Sequence, residues 1–211
     1  GAGHFNEAIG LYTELLAMRD AETALAGEER GAVVYQLARA LEGAGRNDES
    51  LAMLDRLVAE SPTAAHGDEA QFRRGETWSI RQNYAGAEQA YAAVLASGPA
   101  SPFYEQSLYK YGWALFKQSR YEEGLAAFAR LIDRRLASGE GSPAKSPEQQ
   151  IEAMSRPERE LLDDTLRVVS ISLSYLDGAE SIPPVLAPWG EPDWTYLFYA
   201  ALGDLYLDKE R

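Results

Sequence analysis

Cysteine is absent from the 211 residues, which removes disulfides, thiol nucleophiles and thiolate metal sites together. Histidine is scarce: His4 near the start and His66 in a turn have no second ligand at metal spacing, and a solvated position is the plain reading of each. No apolar run reaches the roughly 18–20 residues that cross a bilayer; the longest stretch, 167–176, is broken by serines. Positive charge is also short. Twenty Lys and Arg stand against 33 Asp and Glu, for a net charge of −13. Such a surface repels phosphate backbones and anionic headgroups, so nucleic acid and membrane insertion are set aside and a basic or mixed-charge protein partner fits. Gly-x-Ser-x-Gly and His-Glu-x-x-His are missing, and Gly43-Ala44-Gly45 lacks the Gly-Lys-Ser/Thr and strand of a phosphate loop. No cofactor and no metal are expected.

What is present is a repeat. Tyr84, Ala87 and Tyr91, then Tyr121, Gly124 and Phe128, set an aromatic, a small residue three later and an aromatic four further on. Phe5, Ala8 and Tyr12 fit the same frame, and Asn47, Ser50 and Leu54 fit it loosely. Pro62 and Pro99 each follow eight residues after the last member. The small markers Ser50, Ala87 and Gly124 are separated by 37 residues each time, and Ala8 precedes Ser50 by 42. Upstream of each such helix lies another, with apolar residues at i, i+3 and i+7 making one stripe: Val34, Leu37 and Leu41; Phe72 and Trp78; Leu108, Tyr111 and Leu115; Tyr199, Leu202 and Tyr206. A small residue sits beside each stripe: Ala38, Gly75, Gly112 or Gly203. Glycine inside a helix costs roughly 1 kcal/mol relative to alanine, so a close helix crossing is expected there.

These residues resemble the tetratricopeptide pattern, in which a large residue, Leu-Gly, Tyr, Ala, Phe and Pro recur at fixed offsets. The resemblance implies an all-α chain: a right-handed α-solenoid of antiparallel helix pairs, about five units with the first and last incomplete. The period of 37 exceeds the family's roughly 34, with the extra residues around 63–66 and 98–103. That longer turn is similar to bacterial envelope-associated members, the outer-membrane assembly lipoproteins and Tol-Pal coordinators. It implies a periplasmic or envelope setting, with the cytoplasm as the alternative.

Units one to four are expected over 1–136, a flexible insertion over 137–158, and an irregular fifth unit with the first helix of a sixth over 159–211. The run 138–147, rich in Ser, Gly and Pro, reads as linker, with a short helix at Pro147–Met154. The second helix of the fifth unit is reduced to a turn or two near 181–186 before Pro188 and Gly190. The helix expected at Trp194–Lys209 leaves Tyr199, Leu202 and Tyr206 partly uncovered, as in a fragment of a longer array. The acid pairs Asp163-Asp164, Glu122-Glu123 and Glu28-Glu29 point about 100° apart on a helix and do not converge, so they read as solvated helix starts.

In the family, first helices line a concave face. The offsets place there Tyr35 and Arg39, then Phe72, Arg73 and Glu76, then Tyr109, Lys110, Trp113 and Lys117, then Arg167 with Ile171. Rings with interspersed cations suit capture of a protein or peptide, because aromatics bury area at small entropy cost and cations fix acidic groups. Tyr35 and Phe72 also read as core between units. Family members that clamp a peptide's terminal carboxylate use lysine and asparagine where this chain has Tyr35, Arg39, Phe72, Glu76, Tyr109 and Trp113, so that mode is not expected. The implied role is a scaffold for a protein or peptide, without catalysis. A structural spacer or self-associating segment, and a helical glycan-active enzyme, are the alternatives.

Overall fold

A computed structural model describes residues 2–18, 27–60, 66–136 and 145–210. Among the described residues there are eleven α-helices and no strand: α1 (Ala2–Ala17), α2 (Gly27–Gly43), α3 (Asn47–Glu60), α4 (Gly67–Ile80), α5 (Tyr84–Ala96), α6 (Tyr104–Lys117), α7 (Tyr121–Leu136), α8 (Pro147–Ala153), α9 (Arg156–Ser174), α10 (Ile182–Leu186) and α11 (Tyr196–Glu210). The fold class is an α-solenoid of helix pairs. Two compact units are present, Gly1–Ser107 and Leu108–Arg211, and the division falls inside α6.

The turns inside the pairs keep the same period. Gly45, Gln82 and Ser119 all have positive φ, at 76°, 59° and 60°, and they too recur every 37 residues. After each, a backbone N–H reaches back five residues: Arg46 to the Leu41 carbonyl at 2.8 Å, Asn83 to Trp78 at 2.9 Å, Arg120 to Leu115 at 3.0 Å. This is the left-handed closure that satisfies the last carbonyls of a helix. Asn83 then caps α5, its side-chain oxygen accepting from the Gly86 N–H at 3.0 Å.

In unit 1 the marker residues do what their size allows. A Cβ on Gly75 would lie 2.4 Å from a ring carbon of Tyr91, so only glycine admits α5 that closely. Ser50, standing where alanine is usual, is buried, and its hydroxyl donates to the Ala38 carbonyl at 2.8 Å. Two of the unit's apolar clusters show how the helices pack. Ile9 of α1 meets Leu37, Ala40 and Leu41 of α2. Val34, Tyr35 and Ala38 of α2 meet Leu54 and Leu57 of α3 and Ala70 of α4.

In unit 2 the described residues form a large shared core. Leu125, Phe128, Ile132 and Leu136 of α7 join Leu162, Val169 and Leu173 of α9, Ile182 and Leu186 of α10, and Trp194, Phe198 and Leu202. A Cβ on Gly112 would meet Phe128 at 2.6 Å. Of the stretch read as an insertion, 137–144 lies outside the described residues. The remainder includes α8, opened by a capping box between Ser146 and Gln149, with Ile151 and Met154 packed on the core. The abbreviated second helix appears as α10 between two 3₁₀ turns, Gly178–Ser181 and Ala187–Trp189. Leu202, expected to be partly uncovered, is buried in the core, while Tyr199 and Tyr206 are exposed. Asp163 and Asp164 lie well inside α9, not at its start.

Candidate functional site

The expected contact residues fall into a set in each unit. In unit 1, α4 presents Phe72, Arg73 and Glu76 to a cavity of about 410 Å³, lined also by Glu42, Glu69, Ile80, Arg81 and Phe103. Arg73 organises one wall. Its Nε donates to the Tyr35 hydroxyl at 3.2 Å, its Nη2 to Glu69 at 3.0 Å and its Nη1 to Glu42 at 3.1 Å. Arg39 lies 3.6 Å from Glu69 and 3.8 Å from Glu42. Burial raises the pKa of the Glu69 carboxyl, but hydrogen bonds from Tyr35 and Arg73 outweigh it and hold the group below its usual value. Burial, then Glu69, pushes the Tyr35 hydroxyl up.

Tyr35 itself is 2% exposed. Its ring stacks on His66 at 4.5 Å with planes 12° apart, so it supports Arg73 and offers no ring to a partner. His66, read as solvated, is half-buried against that ring. Phe72 packs at 5.4 Å from Phe103 and 5.8 Å from Tyr91. Glu76 accepts the Tyr91 hydroxyl.

In unit 2, Tyr109, Trp113 and Lys117 stand together on α6. Tyr109 and Trp113 meet edge-on at 6.4 Å, and the Lys117 ammonium lies 5.7 Å from the Trp113 ring centre, a cation–π distance. Trp113 is partly buried against the core, and Lys110 is half-buried. The Tyr109 hydroxyl donates to Asp164, whose carboxylate also accepts from Arg167. Burial and then Asp164 push the Tyr109 pKa up to about 12. Burial raises that of Asp164, but the bonds from Tyr109 and Arg167 outweigh it and lower it. Arg167 is exposed, and it borders a groove of about 390 Å³ between α9 and α11.

Sequence reasoning did not single out Glu42, Glu69 or Phe103, and it read Asp164 only as half of a solvated acid pair. Two had a signal: Glu69 precedes Arg73 by four residues and Asp164 precedes Arg167 by three, the helical spacings of an ion pair. Phe103 had none, since it stands in an inter-repeat turn. Among the described residues no three His, Asp or Glu side chains group as metal ligands, and no helix is long and apolar enough to cross a membrane.

Among solved structures, TPR-like repeats of a Podosopora anserina protein named as a kinesin light chain are 15% identical over 90% of each chain, with a TM-score of 0.57. A double mutant of MamA from Desulfovibrio magneticus RS-1 is 15% identical over 96% of each chain, with a TM-score of 0.52. At such identity the likeness shows the fold alone. No curated protein matches the sequence. The tetratricopeptide repeat pattern matches residues 1–65, 35–102 and 81–143, which together span more than half of the chain. Proteins of that fold are typically non-catalytic scaffolds for other proteins, and this chain belongs to the tetratricopeptide repeat family.

Proposed function

We propose that the chain is a scaffold that holds a protein or peptide on its first-helix surfaces and performs no catalysis itself. The observation that carries this reading is the unit 1 cavity, where Phe72, Arg73 and Glu76 stand beside Phe103 and the 83%-exposed Ile80. Apolar floor and ordered charge are what peptide capture requires: rings supply area, and a guanidinium already held by Tyr35, Glu69 and Glu42 loses little freedom on binding. Arg39 extends that surface in unit 1. Tyr109, Lys110, Trp113, Lys117 and Arg167 form the corresponding surface of unit 2, and Tyr35 acts only through Arg73. The long turn at 98–103 supports the envelope-associated bacterial type, hence a periplasmic or envelope setting.

The test is a peptide selected from a displayed random library on the whole chain and measured by calorimetry. Arg73→Ala is expected to weaken a peptide held on unit 1, and Trp113→Ala one held on unit 2, each about tenfold, about 1.4 kcal/mol, with helical circular dichroism retained. Unchanged affinity in both variants overturns the assignment.

A further inference from the structure

Counted from its notch glycine, α11 repeats α4. In unit 1 the ring of Tyr91, from the following helix, occupies the notch at Gly75. The unit 1 cavity stays open on another side of α4, at Glu69, Phe72, Arg73, Glu76, Thr77 and Ile80. The same distances from Gly203 give Leu197, Ala200, Ala201, Asp204, Leu205 and Asp208, and all six line the groove toward α9. At 100° per residue, Gly203 and Tyr199 lie roughly 130–170° round the helix from the centre of that set. A following helix of the repeat therefore belongs in the Gly203 notch and leaves the groove open, as α5 leaves the cavity open in unit 1.

The two open faces differ in charge. In unit 1 the acids are neutralised from within, because Arg73 bonds both Glu69 and Glu42. On α11 the place of Arg73 is taken by Ala201. Asp163 of α9 and Asp204 of α11 are exposed, and among the described residues neither has a hydrogen-bond or ion-pair partner. Arg167, the one cation among the groove's described lining residues, is already bonded to Asp164. Between the acids the floor is apolar and low, made of Leu166, Leu197, Leu205 and the two alanines.

We propose that this groove seats a basic amphipathic helix of a partner protein, with its apolar side chains on the floor and its Lys or Arg beside Asp163 and Asp204. The proposal rests on the scaffold reading and adds the partner's chemistry. Two neighbouring helices offer a groove that the ridge of a third can fill, and Ala200 and Ala201 let it approach closely. The floor runs along about 16 Å of α11, three turns of an apposed helix, so anchors at i, i+3, i+4 and i+7 suit it. The incoming cation does for Asp204 what Arg73 does for Glu69. An acidic or neutral helix would leave both carboxylates beside apolar surface without a counter-charge, and a second copy of this chain, at −13, brings an excess of acid.

Fluorescence anisotropy with the full chain tests this, at about 150 mM salt so that long-range attraction is screened. The probe is a labelled helical peptide of about 18 residues with leucine on one face and lysine on the other. One control scrambles that sequence and a second replaces its lysines by glutamate. The probe should bind with a Kd below about 100 µM, the scrambled peptide at least about tenfold more weakly, and the glutamate peptide not at all. Asp163→Asn combined with Asp204→Asn should weaken the probe about tenfold, since exposed charge pairs are individually modest. Ala201→Arg, which installs the internal cation of unit 1, should weaken it similarly, whereas Tyr199→Ser on the notch side should leave it unchanged. No binding, equal binding of the scrambled peptide, an unaffected double variant or a loss on Tyr199→Ser overturns the proposal. A library-selected peptide that binds where the basic probe does not would overturn only the partner's chemistry; binding by neither would overturn the scaffold reading as well.

Discussion

Units 1 and 2 start from the same repeat and bury it differently. In unit 1 each helix covers its immediate neighbours: Ile9 of α1 packs on Leu37 and Leu41 of α2, Val34 and Ala38 of α2 on Leu54 and Leu57 of α3, and the buried Tyr91 of α5 against Gly75 of α4. In unit 2 the second helix of the α9 pair shrinks to one turn flanked by 3₁₀ segments, and Pro183, Pro184 and Pro188 prevent anything longer. Trp194 turns into the core beside it, its Nε1 donating to Asp133 at 3.2 Å. A broken repeat has thus become a small globular core, whereas the regular one remains a row of nearest-neighbour contacts.

The largest expected effect tests that difference directly. Phe128→Ala in unit 2 should cost about 3–5 kcal/mol, the range for removing a buried ring, and should strip amide protection from α7, α9, α10 and α11 together. Tyr91→Ala in unit 1 should lose protection chiefly in α4 and α5. Hydrogen exchange read by mass spectrometry separates the two, and a Phe128→Ala loss confined to α7 would break the contrast.

Alkaline pH probes the buried tyrosines next. The folded pKa of Tyr109, about 12, stands above the ordinary value near 10. The native chain therefore holds that proton after the unfolded chain has lost it. Its contribution is complete below about pH 10 and is lost as pH rises toward about 12. Tyr35 and Tyr91 in unit 1 are shifted the same way. Thermal melts across this range should fall, and Tyr109→Phe should flatten the decline without abolishing it. An identical slope in the variant would remove Tyr109 from the account.

The smallest effect should be equal in both units. Gln82 and Ser119 occupy the left-handed turn position that Gly45 fills. Gln82→Gly and Ser119→Gly relieve that strain and should each stabilise by about 0.5–1 kcal/mol, read as a modest rise in Tm. Destabilisation in one unit alone would mean that its turn depends on the side chain.

Much of this was legible in the chain. The spacing of Ser50, Ala87 and Gly124 located the second helices, and Gly75 and Gly112 marked the close crossings, because only one side-chain size fits each place. The contact surface was less legible. A helical stripe tells that Tyr35 and Phe72 face inward or across, but how far each is covered depends on residues 30 to 40 positions away. Arg73 on Tyr35 and Phe103 on Phe72 are such contacts. Asp164 looked like half of a solvated acid pair until α9 was found to begin eight residues earlier and Tyr109 to donate to it.

By itself the sequence determined the helices, their pairing and their period, since these follow from apolar spacing, glycine notches and turn chemistry within some forty residues. Tertiary structure alone decided which rings remain open and which charges are already taken. It decided too that the irregular end condenses into a shared core. Burial is a property of everything packed around a residue, and the partners that settle it here are distant along the chain.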